Sequence, residues 1–352
     1  MKRLKNGALM KIYLLLFAFI LLGACKKNKN TTSKQQEQIH LVDTSLVKKY
    51  SASITASSLK ENLYQFASTD YAGRATGEEG QKKAVHFLAD FYKSNGIASP
   101  IADSSYFQSI PETFLPEGIQ ASENVLAYIK GSEKPEEVLI ISGHLDHLGV
   151  KDKDIYFGAD DNGSGTVAIL EIAKAFKAAQ DQGVSPKRSI LFLHLTAEEI
   201  GLQGSLYYTK NPVFKLENTI ANLNIDMIGR VDNYHTKNPN YLYIIGADRL
   251  SKELHYINEK VNQNSTNLLL DYKYNEEEDS NRYYYRSDHY NFAKHNIPVI
   301  FYFNGTHKDY HKPTDTPEKI NYALLEKRTK LIFGTAWQLA NQENRLILND
   351  KD

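Results

Sequence analysis

The chain has 352 residues, with 42 Lys plus Arg against 42 Asp plus Glu, 41% hydrophobic residues and one cysteine. The composition is globular, and the balanced charge excludes the large basic face that neutralising phosphates demands, so no nucleic-acid partner is expected. A single cysteine excludes an internal disulfide and an all-thiolate metal cluster, leaving His, Asp and Glu to hold any metal.

In chain order, the first segment is basic. Lys2, Arg3, Lys5 and Lys11 fall within the first 24 residues with no acid among them, so without that stretch 38 basic side chains face 42 acidic ones. The apolar run from Ile12 to Leu22 is shorter than the roughly 20 residues a membrane span needs and has the length of a signal-peptide core. Leu22-Gly23-Ala24-Cys25 resembles the bacterial lipobox, whose cysteine is lipidated and becomes the mature N-terminus. Residues 1–24 are therefore expected to be a lipoprotein signal peptide, and a lipid on Cys25 is expected to attach the protein to a membrane of the bacterial cell envelope. Lys26 fits the outer-membrane sorting rules of some bacteria. Residues 25–50 read as a flexible tether, rich in Lys, Asn, Gln, Ser and Thr. Residues 51–352 are expected to form a single domain.

Two helices are predicted next, Leu59 to Ala67 and Glu79 to Asn95, the second with Ala84, Phe87, Leu88 and Phe91 on one face. Apolar runs of strand length follow at Asn124 to Ile129, Val138 to Ser142, Ser189 to Leu195, Ile220 to Ile225, Leu242 to Ile245 and Pro298 to Phe303. Helical stretches at Gly163 to Lys177, Arg249 to Asn262 and Pro317 to Asn341 lie between or after them. This alternation predicts an α/β fold, a three-layer sandwich with a central mixed, mainly parallel sheet flanked by helices.

Functional groups in such sheets gather beyond the carboxyl ends of the strands. Five loops here carry carboxylates or imidazoles: His144, Asp146 and His147 after one strand, Asp160 and Asp161 before a helix, Glu198 and Glu199, Asp226, and the stretch Asp309-Tyr310-His311. Singly, each has an ordinary explanation. Adjacent glutamates suit a helix start, and Asp-Asp-Asn-Gly can cap one. Five strand ends doing so together point to one metal-binding rim.

These stretches, GHLDHLG at 143–149, GADDNGSG at 158–165, TAEEIGLQGS at 196–205, NIDMIGR at 224–230 and DYHKPTDT at 309–316, resemble the co-catalytic di-zinc aminopeptidases of metallopeptidase family 28. The resemblance runs from about Leu59 to the C-terminal helix. It implies two zinc ions per chain. His144 and Asp226 would hold one, Glu199 and His311 the other, and Asp161 would bridge both. Asp146 would orient the His144 imidazole, Glu198 would be the general base, and Tyr310 would hydrogen-bond the developing oxyanion.

The implied activity is removal of N-terminal residues from peptides with a free N-terminus. Two zinc ions bring four positive charges against three from Asp161, Glu199 and Asp226, so a hydroxide bridging the two zinc ions completes the balance. Glu198 would take a proton from the attacking water and pass it to the leaving amine.

Within the same fold, a single-zinc glutaminyl cyclase, a related carboxypeptidase or an amide hydrolase remains the alternative. A binding lipoprotein without catalysis is disfavoured by the full ligand set. His194 is expected in the core and His147 beside the ligands. His40, His86, His235, His255, His295 and His307 read as surface or structural. Arg74 and Asp288 are expected to be structural, with pocket wall as the other reading of Asp288. Tyr283, Tyr284 and Tyr285, after the acidic run Glu276 to Asp279, offer either a solvated loop or a wall of the substrate pocket.

Overall fold

A computed structural model describes residues 39–103 and 105–350. The expected signal peptide and lipobox and most of the expected tether fall on residues 1–38, outside the described residues. Leu41–Asp352 is one compact unit, and of the preceding unit, Met1–His40, only residues 39 and 40 are described. No helix among the described residues is long and apolar enough to cross a membrane.

The packed unit begins before residue 51, where the sequence places the end of the tether. Helix α1, Thr44–Ser51, lies inside the expected tether yet buries Tyr50, whose ring stacks on Trp337 at 5.7 Å between centroids. With Tyr50 its one buried residue and Leu46 and Val47 only half-buried, so short a helix leaves little apolar period to detect.

Helix α2, Ala56–Phe66, starts at Thr55, whose hydroxyl accepts from the Ser58 amide in a reciprocal capping box, and buries Leu59, Leu63 and Phe66. Helix α3, Glu79–Ser94, matches its predicted span, but its buried stripe is Ala84, Val85, Leu88, Ala89 and Tyr92. Phe87 and Phe91 are only half-buried, so the stripe is rotated from the expected one.

Ten strands follow: β1 (Phe107–Ile110), β2 (Ser122–Ile129), β3 (Lys134–His144), β4 (Gly149–Lys151), β5 (Asp154–Tyr156), β6 (Arg188–Leu195), β7 (Thr219–Ile225), β8 (Tyr241–Ile245), β9 (Leu269–Asp271) and β10 (Val299–Phe303). β4 and β5 form a separate hairpin, and the others make one eight-stranded sheet in the order β1-β2-β6-β3-β7-β10-β8-β9. The central run β6-β3-β7-β10 is wholly parallel, with antiparallel pairings at β1-β2, β2-β6 and β8-β10. The expected mixed, mainly parallel sheet is what forms.

Every residue of β6, β7 and β10 is buried, as strands covered on both faces require. The two-residue period divides β6 between the layers. Leu191, Leu193 and Leu195 enter one apolar cluster with Tyr208 and Phe292. His194 and Phe192 face the other way onto Tyr92. On that side helices α4 (Gly165–Asp181) and α8 (Tyr322–Asn341) pack through Phe176 and Trp337. Opposite them lie α5 (Gln203–Lys210) and α7 (His289–Ala293), joined by Tyr208 and Phe292. α6, Lys252–Asn264, is capped by the Ser251 hydroxyl.

Candidate active site

Four neighbouring parallel strands deliver the site. His144 is the last residue of β3, Asp226 the first beyond β7, Glu198 and Glu199 follow β6, and His311 lies in the loop after β10. Asp161 comes from the irregular turn Ala159–Ser164 that opens α4, and its peptide bond to Asn162 is cis. Gly158, in the left-handed region at φ 54°, is required there. A Cβ on it would stand 2.2 Å from the Asp161 carbonyl and 2.5 Å from the His147 ring.

The five ligand-type residues meet. His144 Nε2 is 3.2 Å from Asp161 Oδ1 and 3.3 Å from Asp226 Oδ1. His311 Nε2 is 3.1 Å from Asp161 Oδ2 and 3.2 Å from Glu199 Oε2. The two oxygens of Asp161 thus face the two imidazoles separately. Ligands at about 2.0–2.1 Å from a tetrahedral zinc stand ~3.3 Å apart. His144, Asp161 and Asp226 offer N and O donors within 4.8 Å of one another, and so do His147, Asp161 and Glu199, beside His311.

The turn around Asp161 is braced on all sides. The Asp160 carboxylate points away from the cluster, accepting from the Gly229 amide at 2.6 Å and the Asn304 amide group at 3.0 Å, with His307 Nε2 at 3.1 Å. Asp315 Oδ2 accepts from the backbone of Asp160 and Asp161 at 2.9 and 3.2 Å. Asn162 donates to Ile225 O and accepts from the Met227 amide, which ties the turn to the end of β7. Arg74 is fully buried and donates to the carbonyls of Phe66, Leu145, Phe157 and Gly158, joining the loop after β3 to this turn. The structural role expected of Arg74 is thereby specified.

Asp146 acts differently from the expectation. His144 Nδ1 lies 3.1 Å from the Asp146 backbone oxygen, while the Asp146 carboxylate stands 3.8 Å away. That carboxylate instead accepts from Thr76 Oγ1 at 2.8 Å and from the Glu198 amide at 3.1 Å. It holds the Glu198 loop in place. His147 was expected only near the ligands, and its Nδ1 is 2.7 Å from Glu199 Oε1, opposite the contact Glu199 makes with His311.

Charge within the cluster is strongly coupled. Burial disfavours a charged His144, yet Asp226, Glu198 and Asp161 outweigh it and raise its pKa well above the ordinary value. Burial pushes Asp161 up, but bonds to His144 and His311 pull it well below the carboxylate range. Glu198 goes the other way. Burial, joined by the charges of Glu199, Asp226 and Asp288 against the pull of His144, lifts it well above that range.

A cleft opens over the cluster, lined by Glu198, Met227, Tyr283, Arg286, Phe301, Phe303, Thr306 and Tyr310 as well as His144, Asp161, Asp226 and His311. Tyr283 lies on the cleft, so the tyrosine-rich segment does supply a wall. Tyr310 stacks on His311 at 3.9 Å between centroids. The His311 loop is fixed from below, where Asp309 meets Arg230 and Lys319, both at 2.7 Å.

Ser287, which belongs to none of the metal-type stretches of the sequence, donates to Asp226 Oδ2 at 2.6 Å. Its only signal was its place beside Asp288. Asp288 itself is buried with both carboxylate oxygens unpartnered. Burial lifts it to about 7. His194 is a core residue bonded to Tyr92, and His235 and His307 are buried on Asp232 and Asp160.

The profile of peptidase family M28 matches residues 124–336, more than half of the chain. A probable aminopeptidase of Saccharomyces cerevisiae is 27% identical over 278 residues, covering 74% of this chain and 71% of the relative. Leupeptin-inactivating enzyme 1 of Streptomyces exfoliatus is 27% identical over 310 residues, covering 81% of this chain but only 62% of its own length. Among solved structures, the LapA aminopeptidase of Legionella pneumophila superposes with a TM-score of 0.67 at 19% identity, covering 87% of this chain and 77% of that one. A glutaminyl cyclase of Porphyromonas gingivalis shares the fold, with a TM-score of 0.62 at 18% identity over 80% of this chain and 97% of its own.

Proposed function

We propose that this chain, which belongs to peptidase family M28, is a zinc aminopeptidase that removes N-terminal residues from peptides at a two-ion site. The observation that carries the reading is the division of Asp161, whose two oxygens stand 3.2 and 3.1 Å from His144 and His311. One carboxylate serving two imidazoles suits two ions. His144, Asp161 and Asp226 would hold the first zinc, and Asp161, Glu199 and His311 the second. Bound zinc would supply Lewis acidity, polarising the scissile carbonyl and acidifying water.

The remaining work belongs to side chains. Glu198 faces the cleft without serving as a ligand in either triad, and it is placed to move a proton from water to the departing amine. Tyr310, on the cleft wall against His311, is placed to donate its phenolic hydrogen to the oxyanion that forms at the scissile carbonyl. The acids on the cleft floor would receive the substrate's free α-amino group and so confine cleavage to the chain end.

The test is a panel of dipeptides and aminoacyl arylamides, each paired with its N-acetylated form, with product masses recorded. Cleavage of the free form and silence of the blocked one is expected. Equal cleavage of both would refute the aminopeptidase reading. Loss of ammonia from a Gln-initiated peptide without hydrolysis would turn it into the cyclase alternative.

The lipid anchor on Cys25 belongs to the same proposal and is supported by the Leu22-Gly23-Ala24-Cys25 stretch. Incorporation of labelled palmitate into the wild type and not into Cys25→Ala is expected. Equal labelling of the two would refute it.

A further inference from the structure

The cleft carries a guanidinium that neither triad uses. Arg286 lines it beside Tyr283 and Tyr310 and is solvent-exposed, so its charge is presented to whatever enters. Its guanidinium carbon sits 4.9 Å from the centre of the Tyr283 ring, and the buried Tyr283 holds it against the wall. Among the described residues the arginines in ion pairs are Arg188 and Arg230, and no carboxylate comes within 4.0 Å of Arg286.

The neighbouring arginines are occupied or lie elsewhere. Arg249 donates to the carbonyls of Asn275 and Glu276 and covers Tyr284, and Arg282 covers Tyr285. Arg286 alone of the three lines the cleft.

Among the residues that line the cleft, Arg286 is the only lysine or arginine. Of the acids there, Asp161 and Asp226 face the two imidazoles and Glu198 is the proposed proton carrier, and none comes within 4.0 Å of Arg286. Met227, Phe301 and Phe303 make the apolar part of the wall. Guanidinium pairs best with a planar carboxylate through two parallel N–H···O bonds. A peptide's α-amino group seeks the acidic floor, so a carboxylate further along the same peptide meets the wall.

We infer that Arg286 receives a carboxylate of the substrate, so that favoured substrates are short peptides carrying one next to the scissile bond. Either the C-terminal carboxylate of a dipeptide or the side chain of an acidic second residue supplies that group. The inference rests on the aminopeptidase reading and adds a substrate class to it.

Four substrates test it on the zinc-loaded full chain: Leu-Gly, Leu-Gly-amide, Leu-Asp-amide and Leu-Asn-amide. The ratio of kcat/KM between the first two reports a C-terminal carboxylate, and that between the last two an acidic side chain. At least one ratio is expected to be roughly tenfold or more, mostly through KM, the scale of one charge-assisted hydrogen bond. In Arg286→Gln that ratio falls to within about twofold of unity, and Arg286→Lys, which keeps the charge, restores part of it. Ratios near unity in the wild type, or a ratio that survives Arg286→Gln, overturn the inference and leave the aminopeptidase reading standing. Cleavage of none of the four by a folded protein with its zinc removes the premise and the inference together.

Discussion

Ser287 Oγ donates a 2.6 Å hydrogen bond to Asp226 Oδ2, the carboxylate whose other oxygen faces His144. Ser287 is the last link of a buried relay across the sheet. Asn222 donates to Ser142 Oγ at 2.7 Å, Ser142 to Asn224 Oδ1 at 2.9 Å, and Asn224 to Ser287 Oγ at 2.9 Å. Every donor points towards Asp226, so the rotamer of this candidate ligand is set before any ion arrives.

Removing the last donor should therefore loosen metal binding without disturbing the fold. Ser287→Ala is expected to weaken zinc affinity by roughly 10- to 100-fold, the usual effect of losing a partner behind a metal ligand. Ser287→Thr keeps the hydroxyl and should lose less. Competition with a chromophoric chelator measures both, and an unchanged affinity in Ser287→Ala would show the bond to be dispensable.

Glu198 should separate chemistry from metal binding. Its carboxyl lines the cleft, while its backbone amide is fixed by Asp146 at 3.1 Å. Glu198→Gln is expected to lower kcat by about 10²- to 10⁴-fold, the range for losing a general acid-base group. Zinc content by elemental analysis should stay at the wild-type level. A variant retaining more than a few per cent of activity would end the base assignment.

Stability should depend on pH through a core histidine that is no part of the metal cluster. Burial lowers His194 to about 3, where Tyr92 shares a 2.7 Å hydrogen bond with its ring. An unfolded histidine titrates near 6.5, so between about 6.5 and 3 the unfolded chain binds the extra proton. Stability is then full above pH 6.5 and falls on acidification by about 1.4 kcal/mol per unit from this residue. His194→Gln keeps an acceptor for Tyr92 and removes the titration. Urea unfolding of metal-depleted protein from pH 6.5 to 4 should show a shallower slope by that amount in the variant. Parallel slopes would mean that His194 is charged in the fold.

The parallel centre of the molecule was legible because burial on both faces writes strands as unbroken apolar runs, and the loops beyond them carried the polar signal. Pieces that bury little were not. β1 and β9 are short edges, and the β4–β5 hairpin turns through Asp152 and Lys153, both at positive φ without a glycine. α1 docks mainly through Tyr50. The identities of the clustered residues were legible for a similar reason, since His144, Glu198, Glu199 and Asp226 stand at or just beyond strand ends and Asp161 and His311 in polar loop stretches. Their supports were not, because Thr76 and Ser287 are common hydroxyl residues whose bonds to Asp146 and Asp226 come from distant parts of the chain. The backbone contact between His144 Nδ1 and the Asp146 carbonyl depends on loop geometry that spacing along the chain does not specify.

Asp161, with one oxygen towards each imidazole, is proposed to serve two ions at once. Elemental analysis after equilibrium dialysis against dilute zinc, run on the wild type and on Asp161→Ala, measures this. Two zinc ions per chain are expected in the wild type, and loss of both in the variant. A wild type that binds a single ion, or a variant that still binds two, would contradict it.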